Sequence, residues 1–290
     1  EVVLGPGSAL YGPNSANGVL HFITRSPFDS PGTTVSVGGG ERSLVNVSAR
    51  TAAVLSDAAA VKISGQYYQG TDWKYEDPEE TRLREQVNPD LPHRDYDVER
   101  KTSEFRLDLK PSDDLTAILS LGYTEASNIE LTGLGAGQVK DWNYTAIQGR
   151  VLYRDWFAQV SHNRSDAGKT RLLRTNEPIV DKSTLTVMQL QHSFQMGDKQ
   201  RFTYGTDVLY TRPNTEGTIN GINESDDDVN EYGFYLQSET KLEERLDLVA
   251  AVRFDDHNHI EDAVISPRAA IVIKPDPVNT VRFTYNRAFS

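Results

Sequence analysis

From about residue 33 to the end of the chain, apolar and polar side chains take turns with a period of two, which restricts the chain to β-sheet architectures. Successive side chains of a strand point to opposite faces, so Phe105, Leu107 and Leu109 share an oily face while Glu104, Arg106 and Asp108 share a wet one. The pattern repeats downstream. Leu119, Leu121 and Tyr123 oppose Ser120, Gly122 and Thr124; Phe202, Tyr204, Val208 and Tyr210 oppose Arg201, Thr203, Gly205 and Asp207; Leu248, Ala250, Val252 and Phe254 oppose Asp247 and Arg253. Period-two matching gives about thirteen strands.

The links between these strands separate two all-β architectures. Short links at residues 56–57, 111–114, 154–155, 197–200, 243–244 and 274–277 alternate with longer ones at 70–101, 126–141, 164–183, 212–230 and 255–261. Short turns on one rim and long loops on the other mark an antiparallel transmembrane β-barrel, whereas a water-soluble sandwich has no reason to keep one end short. No run approaches the roughly 18 apolar residues of a membrane-crossing helix. A mean hydropathy of −0.53 is no obstacle to a membrane barrel, in which only alternate residues face lipid. Tyr67, Tyr68, Tyr123, Tyr144, Tyr153, Trp156, Tyr204, Tyr210 and Tyr285 fall near strand ends, where amphipathic rings suit a lipid–water interface.

Charge and chemistry exclude several functions. A net charge of −12 and the lack of a basic stripe argue against a nucleic-acid partner. The acidic residues gather in segments such as 71–100, with ten acidic against five basic residues, and 224–231, both read as solvated loops. Zero cysteines exclude disulfide frameworks and thiolate metal sites. Gly5-Pro6-Gly7-Ser8 lacks the Lys-Ser or Lys-Thr of a phosphate loop, and no nucleophile elbow marks a hydrolase. Asp255, Asp256, His257, His259, Glu261 and Asp262 form the densest group of metal-ligand types, while Asp226, Asp227 and Asp228 with Glu224 lack EF-hand spacing. Both groups read as outer loops, so no metal, cofactor or catalytic residue is assigned.

Residues 1–25 differ in kind from the rest of the chain, with glycines at 5, 7, 12 and 18 punctuating two apolar runs: strand, turn-rich link, strand. This stretch closely resembles the end of the plug domain of TonB-dependent receptors, with Gly5, Pro6, Ser8, Leu10, Tyr11, Gly12, Gly18, Val19, Ile23 and Thr24 at the matching positions. Leu4 stands where that family usually has arginine, and Asn17 where it usually has the first glycine of a pair. Ser266-Pro267-Arg268 and Tyr285-Asn286-Arg287-Ala288-Phe289 resemble mid-barrel text of the same receptors.

The resemblance implies the C-terminal part of a plug at 1–27 and a partial outer-membrane barrel at 28–290, from a whole of roughly 22 strands. It also implies binding of a scarce ligand, such as a siderophore, haem, cobalamin or a glycan, and its delivery to the periplasm by TonB-driven plug rearrangement. The TonB complex of the inner membrane would engage an N-terminal segment missing here, through strand addition. Outer-membrane lipid would surround the barrel, and no enzymatic activity is expected. Trp73, Tyr75, Arg82, Arg84, His93 and Tyr96 in the longest loop are the candidate ligand contacts. A passive porin or adhesin-like barrel is the alternative.

Overall fold

The computed structural model describes residues 2–4, 18–221 and 223–287. The alternating text folds into one antiparallel sheet of fourteen strands. Thirteen follow one another along it: β3 (Gly32–Gly39), β4 (Val45–Ser56), β5 (Ala59–Thr71), β6 (Asp97–Ser112), β7 (Leu115–Thr132), β8 (Gly135–Tyr153), β9 (Trp156–Asp166), β11 (Thr184–Met196), β12 (Gln200–Arg212), β13 (Val229–Glu243), β14 (Leu246–His257), β15 (Val264–Ile273) and β16 (Val281–Asn286). The short β10 (Arg171–Leu172) pairs with the outer end of β8. Ahead of the sheet, β1 (Val2–Leu4) and β2 (Gly18–Leu20) pair antiparallel with each other. The motif residues Gly5, Pro6, Ser8, Leu10, Tyr11 and Gly12 lie outside the described residues.

Along the main sheet each strand pairs with the next in the chain, β10 aside, so connections alternate between two rims. One rim carries 57–58, 113–114, 154–155, 197–199, 244–245 and 274–280; the other carries 40–44, 72–96, 133–134, 167–183, 213–228 and 258–263. Following the barrel rule, the second is the outer rim.

Two expected loops differ. Residues 126–141 are largely strand: β7 and β8 run on and meet at a tight turn around Gly133 and Leu134, with Gly135 at φ +129°. Above the lipid both faces of a strand meet water or protein, so pairing persists while the hydrophobic alternation that betrays it fades. For the same reason β14 continues to His257 and leaves only 258–263 as connection. The long 72–96 connection contains a helix, α1 (Pro78–Gln86), with Asp77 capping the amides of Glu79 and Glu80. A capping Asp, a proline at the first helical position and acidic residues in the first turn form a compact helix-start signal.

The two faces of the sheet are chemically opposite. Lys62, Arg106, Ser120, Gln148 and Ser161 stand side by side on one, by direct register, and Ile63, Phe105, Leu121 and Ile147 on the other. On the oily face large side chains stay uncovered by protein, including Leu190, Phe234, Ile265 and Phe283. Trp156, His192, Phe194, Phe202 and Tyr204 form an aromatic cluster there beside the short turns, with Trp156 and His192 stacked at 4.2 Å and Phe194 and Phe202 at 5.2 Å. Tyr210 and Tyr232 meet edge-on at 6.2 Å near the outer rim. Phe202 to Tyr210 on β12 is about 27 Å of strand at ~3.4 Å per residue, or ~20 Å along the membrane normal at ~40° tilt, the scale of a lipid-facing band with aromatic girdles. Tyr68 and Tyr144 fall in register with the wet face instead.

Candidate functional site

Three features meet on the wet face and at its outer end: a segment lying against the wall, a polar ladder within the wall, and a packed group of outer loops.

The segment is residues 24–30, which precede β3. Arg106 Nη1 donates to Thr24 Oγ1 at 2.8 Å, and its Nε and Nη2 grip both oxygens of Asp108 at 2.6 and 2.9 Å. Ser26 Oγ donates to Asp108 Oδ2 at 2.7 Å, and Lys62 Nζ donates to the Arg25 carbonyl at 3.2 Å. Arg50 donates to the Ser30 carbonyl and, at 2.6 Å, to Ser30 Oγ; Pro27 is fully buried, as is Asp108. The wet face is thus the one that carries the N-terminal part of the chain. Of the plug-like motif, Gly18 lies in β2 and Thr24 in this contact.

The ladder draws residues from five strands and spans a sixth. Arg150 on β8 donates to Gln159 Oε1 on β9 at 2.9 and 2.7 Å; Gln159 Nε2 donates to Gln189 Oε1 on β11 at 3.1 Å; Gln189 Nε2 donates to Asp207 Oδ1 on β12 at 3.1 Å. Arg253 on β14 then spans β13 to reach Asp207 Oδ2 at 2.6 Å, while its Nε holds Asp255 Oδ1 at 2.7 Å. The span depends on Gly233 of β13, where a Cβ would overlap Arg253 Nη2 outright. Two residues along β13, Tyr235 lies across Gly205 of β12 and donates from its hydroxyl to Gln191 Oε1 at 2.9 Å. Arg253 is 2% exposed and Asp255 5%, so these charges survive burial because they are paired.

The outer loops hold the apolar core. Among the described residues, the buried valine, leucine and isoleucine side chains are Leu91, Val139, Leu173 and Ile179, all in outer connections or the outer end of β8. In the barrel wall one face belongs to lipid and the other is polar, so packing of this kind is confined to the loops. Arg94 grips both oxygens of Glu80 at 2.8 Å, with side-chain exposures of 9% and 3%, and fastens α1 to the end of its own connection. Arg174 reaches from the 167–183 connection to Asp77 Oδ2 at 2.8 Å. The Arg174 guanidinium holds the Asp77 carboxyl below its ordinary range, burial opposes that, and the Glu79 and Glu80 amides reinforce it. Lys182 pairs with Glu216 at 2.8 Å, which brings in the 213–228 connection.

Trp73 is 77% exposed with the Arg42 guanidinium 4.4 Å from its ring, and Tyr75 is 59% exposed with Arg94 at 5.2 Å. Tyr96 donates to the Tyr75 carbonyl at 2.5 Å, which ties these two aromatics together within one loop. Arg82 pairs with Glu79 on the helix surface, Arg84 donates to the Leu91 and Pro92 carbonyls, and His93 is exposed. Arg42, Arg174 and the ladder residues were not singled out from sequence, because their partners lie on other strands and loops; nor was Arg94, whose partner Glu80 lies fourteen residues away in its own connection. His257 and His259 rings lie 5.7 Å apart, tilted, and His259 Nε2 is 2.9 Å from the Asp228 carbonyl; among the described residues no three His, Asp or Glu side chains converge as a metal site.

Comparison with known proteins fits this geometry. Residues 50–290 match the family model "TonB dependent receptor-like, beta-barrel". The chain is similar to the FrpB iron transporter of Neisseria meningitidis (TM-score 0.72, 12% identity, 99% of this chain and 51% of that one). It is similar to the alcaligin outer membrane receptor FauA of Bordetella pertussis (TM-score 0.68, 14% identity, 98% and 48%). A shorter stretch of 79 residues is 33% identical to the vitamin B12 transporter BtuB of Vibrio vulnificus (strain CMCP6), covering 27% of this chain and 13% of that protein. The chain spans about half the length of the solved structures it matches. A polar-walled, lipid-banded sheet with a family match over most of its length places the chain in the TonB-dependent receptor family, whose members are transporters and receptors rather than enzymes.

Proposed function

We propose that this chain is the plug end (1–27) and first barrel half (28–290) of an outer-membrane receptor. In this reading the intact receptor binds a scarce ligand outside the cell and passes it to the periplasm with energy delivered by TonB. The observation that carries the reading is the seating of residues 24–30 on the polar wall, since a passive pore needs nothing from its N-terminal side inside the lumen. Ligand binding biases the population of plug states, and TonB supplies the work that opens a path.

The related proteins differ in what their names say they carry: iron, alcaligin and vitamin B12. The ligand class is therefore set by this chain's own loops, where we assign first contact to Trp73, Tyr75 and Tyr96, with Arg82, Arg84 and His93 nearby in sequence. Aromatic faces uncovered by protein and backed by guanidinium groups suit flat or conjugated ligand groups. The test is uptake of iron-siderophore, haem, cobalamin and glycan ligands by cells expressing the intact protein, with and without TonB. TonB-dependent uptake of one class supports the reading, and Trp73→Ala should weaken binding of that ligand about tenfold. Uptake indifferent to TonB would favour a passive barrel.

A further inference from the structure

On β9 the side chains of Val160, His162 and Arg164 follow one another along the oily face, so its outer end carries a cation. Arg164 stands in direct register between Thr145 of β8 and Thr184 of β11, and Thr184 in turn faces Arg212 of β12. The next row toward the lipid band is His162, Thr186 and Tyr210, with His162 Nδ1 2.9 Å from Thr186 Oγ1; below it come Val160, Met188 and Val208. Two residues of strand are ~7 Å, or ~5 Å along the membrane normal at ~40° tilt, which sets Arg164 just above the outer aromatic level. The cations around it are already taken. Arg212 pairs with Asp228 at 3.3 Å, and the adjoining 167–183 connection pairs Lys169 with Asp141 at 3.3 Å, Arg174 with Asp77 at 2.8 Å and Lys182 with Glu216 at 2.8 Å. Asp166, two residues along β9, accepts from the Gly168 amide at 3.0 Å. Arg164 is exposed and, among the described residues, joins no ion pair.

We propose that Arg164 receives a phosphate of an outer-leaflet lipid, with the Thr145 and Thr184 hydroxyls beside it. A guanidinium on the lipid-facing side is costly in hydrocarbon and belongs at the headgroup level, where phosphate matches its fork of N–H donors. The occupant is a lipid because the face below Arg164 is continuous with the oily band: Val160 and Met188 are uncovered by protein, so acyl chains can lie along them while the headgroup meets the arginine. A soluble anion approaching from outside meets instead the 213–228 connection, which holds five acidic residues and no basic one. This rests on the outer-membrane reading above and adds a lipid site to it.

The experiment titrates purified full-length receptor in detergent with lipid A carrying its phosphates and with the same lipid freed of them, and bound lipid is counted by native mass spectrometry. The phosphorylated lipid should bind ~10-fold more tightly than the phosphate-free one, and Arg164→Gln should abolish that preference. Arg164→Lys keeps the charge without the fork and should retain part of it. Lys101→Gln, which removes a cation already held between Glu99 and Glu125 on the same face, should leave the preference within about twofold of the native value. An undiminished preference in Arg164→Gln overturns the proposal, as does an equal loss in Lys101→Gln. Displacement of the lipid by inorganic phosphate alone would mark a soluble-anion site and overturn it too. Failure of the outer-membrane reading shows separately, as native receptor that does not fractionate with the outer membrane, whatever the lipid titration gives.

Discussion

Gly233→Ala should destabilise the receptor by about 2–4 kcal/mol, although alanine is ordinarily the better strand residue. The new Cβ would overlap Arg253 Nη2 and lie 2.7 Å from its Cζ and 3.0 Å from Asp255 Oδ1. The guanidinium must leave, and its bonds to Asp207 at 2.6 Å and Asp255 at 2.7 Å go with it. Breaking a buried ion pair costs about 3–5 kcal/mol, and replacing a strand glycine returns roughly 0.5–1 kcal/mol. The same substitution in an Arg253→Met, Asp207→Asn, Asp255→Asn background meets no buried charge and should stabilise by about 0.5 kcal/mol. Urea unfolding of full-length receptor in lipid vesicles, followed by tryptophan emission, gives all four corners of the cycle. The sign of the effect should therefore reverse between backgrounds, with a coupling of ~3 kcal/mol. A coupling under about 0.5 kcal/mol would refute the idea that Gly233 exists to let Arg253 cross β13.

Arg94→Ala leaves Glu80 buried without its partner, and should loosen α1 by about 3 kcal/mol; trypsin should then cut at Arg82 and Arg84 much faster while barrel unfolding stays unchanged. Because Asp77 is held below its ordinary pKa, its link to Arg174 should be intact above about pH 4 and lost as pH falls through the depressed value; hydrogen exchange over residues 78–86 should accelerate there in the native chain and be fast at all pH values in Asp77→Asn. Gly205→Ala should drive Tyr235 off Gln191 and cost about 1–3 kcal/mol in the same urea assay, whereas Tyr235→Phe, which removes only the hydroxyl bond, should cost about 1 kcal/mol.

The lipid-facing part of the barrel was legible in the sequence because lipid and lumen impose opposite demands on adjacent residues. Phe105 beside Arg106 and Val208 beside Asp207 record that contrast directly. Where the contrast ends the text falls silent, which is why residues 126–141 read as loop although they are hydrogen-bonded strand. Helix α1 carried its own start signal in Asp77-Pro78-Glu79-Glu80, overshadowed by the charge density around it. The ladder was beyond reach for a different reason. Arg150, Gln159, Gln189, Asp207 and Arg253 are ordinary polar residues on the wet face of separate strands, and only the register brings them to one level. Register also separates Tyr68 and Tyr144, on the lumen side, from Tyr123 and Tyr210, which share their strand-end position but face outward.

Charge is sorted by height as well as by face, and the sorting accounts for how the outer loops assemble. The outer connections hold eighteen acidic and nine basic residues, so they carry most of the chain's net charge of −12, while the strands with the two terminal segments balance to zero. Such an excess should push loops apart. The 167–183 connection is the exception, with Lys169, Arg171, Arg174 and Lys182 against Glu177 and Asp181, and it lies between two acidic neighbours. Arg174 binds Asp77 of one and Lys182 binds Glu216 of the other, while β10 fixes it to β8 through backbone bonds that need no charge at all. Leu173 and Ile179 of the same connection supply two of the four buried valine, leucine and isoleucine side chains among the described residues. One basic loop thus joins the 72–96 and 213–228 connections into a single packed unit, against a field that would otherwise spread them. A cap built this way is held chiefly by its middle member, so changes there should loosen the flanking loops together, whereas changes in the 258–263 connection should stay local.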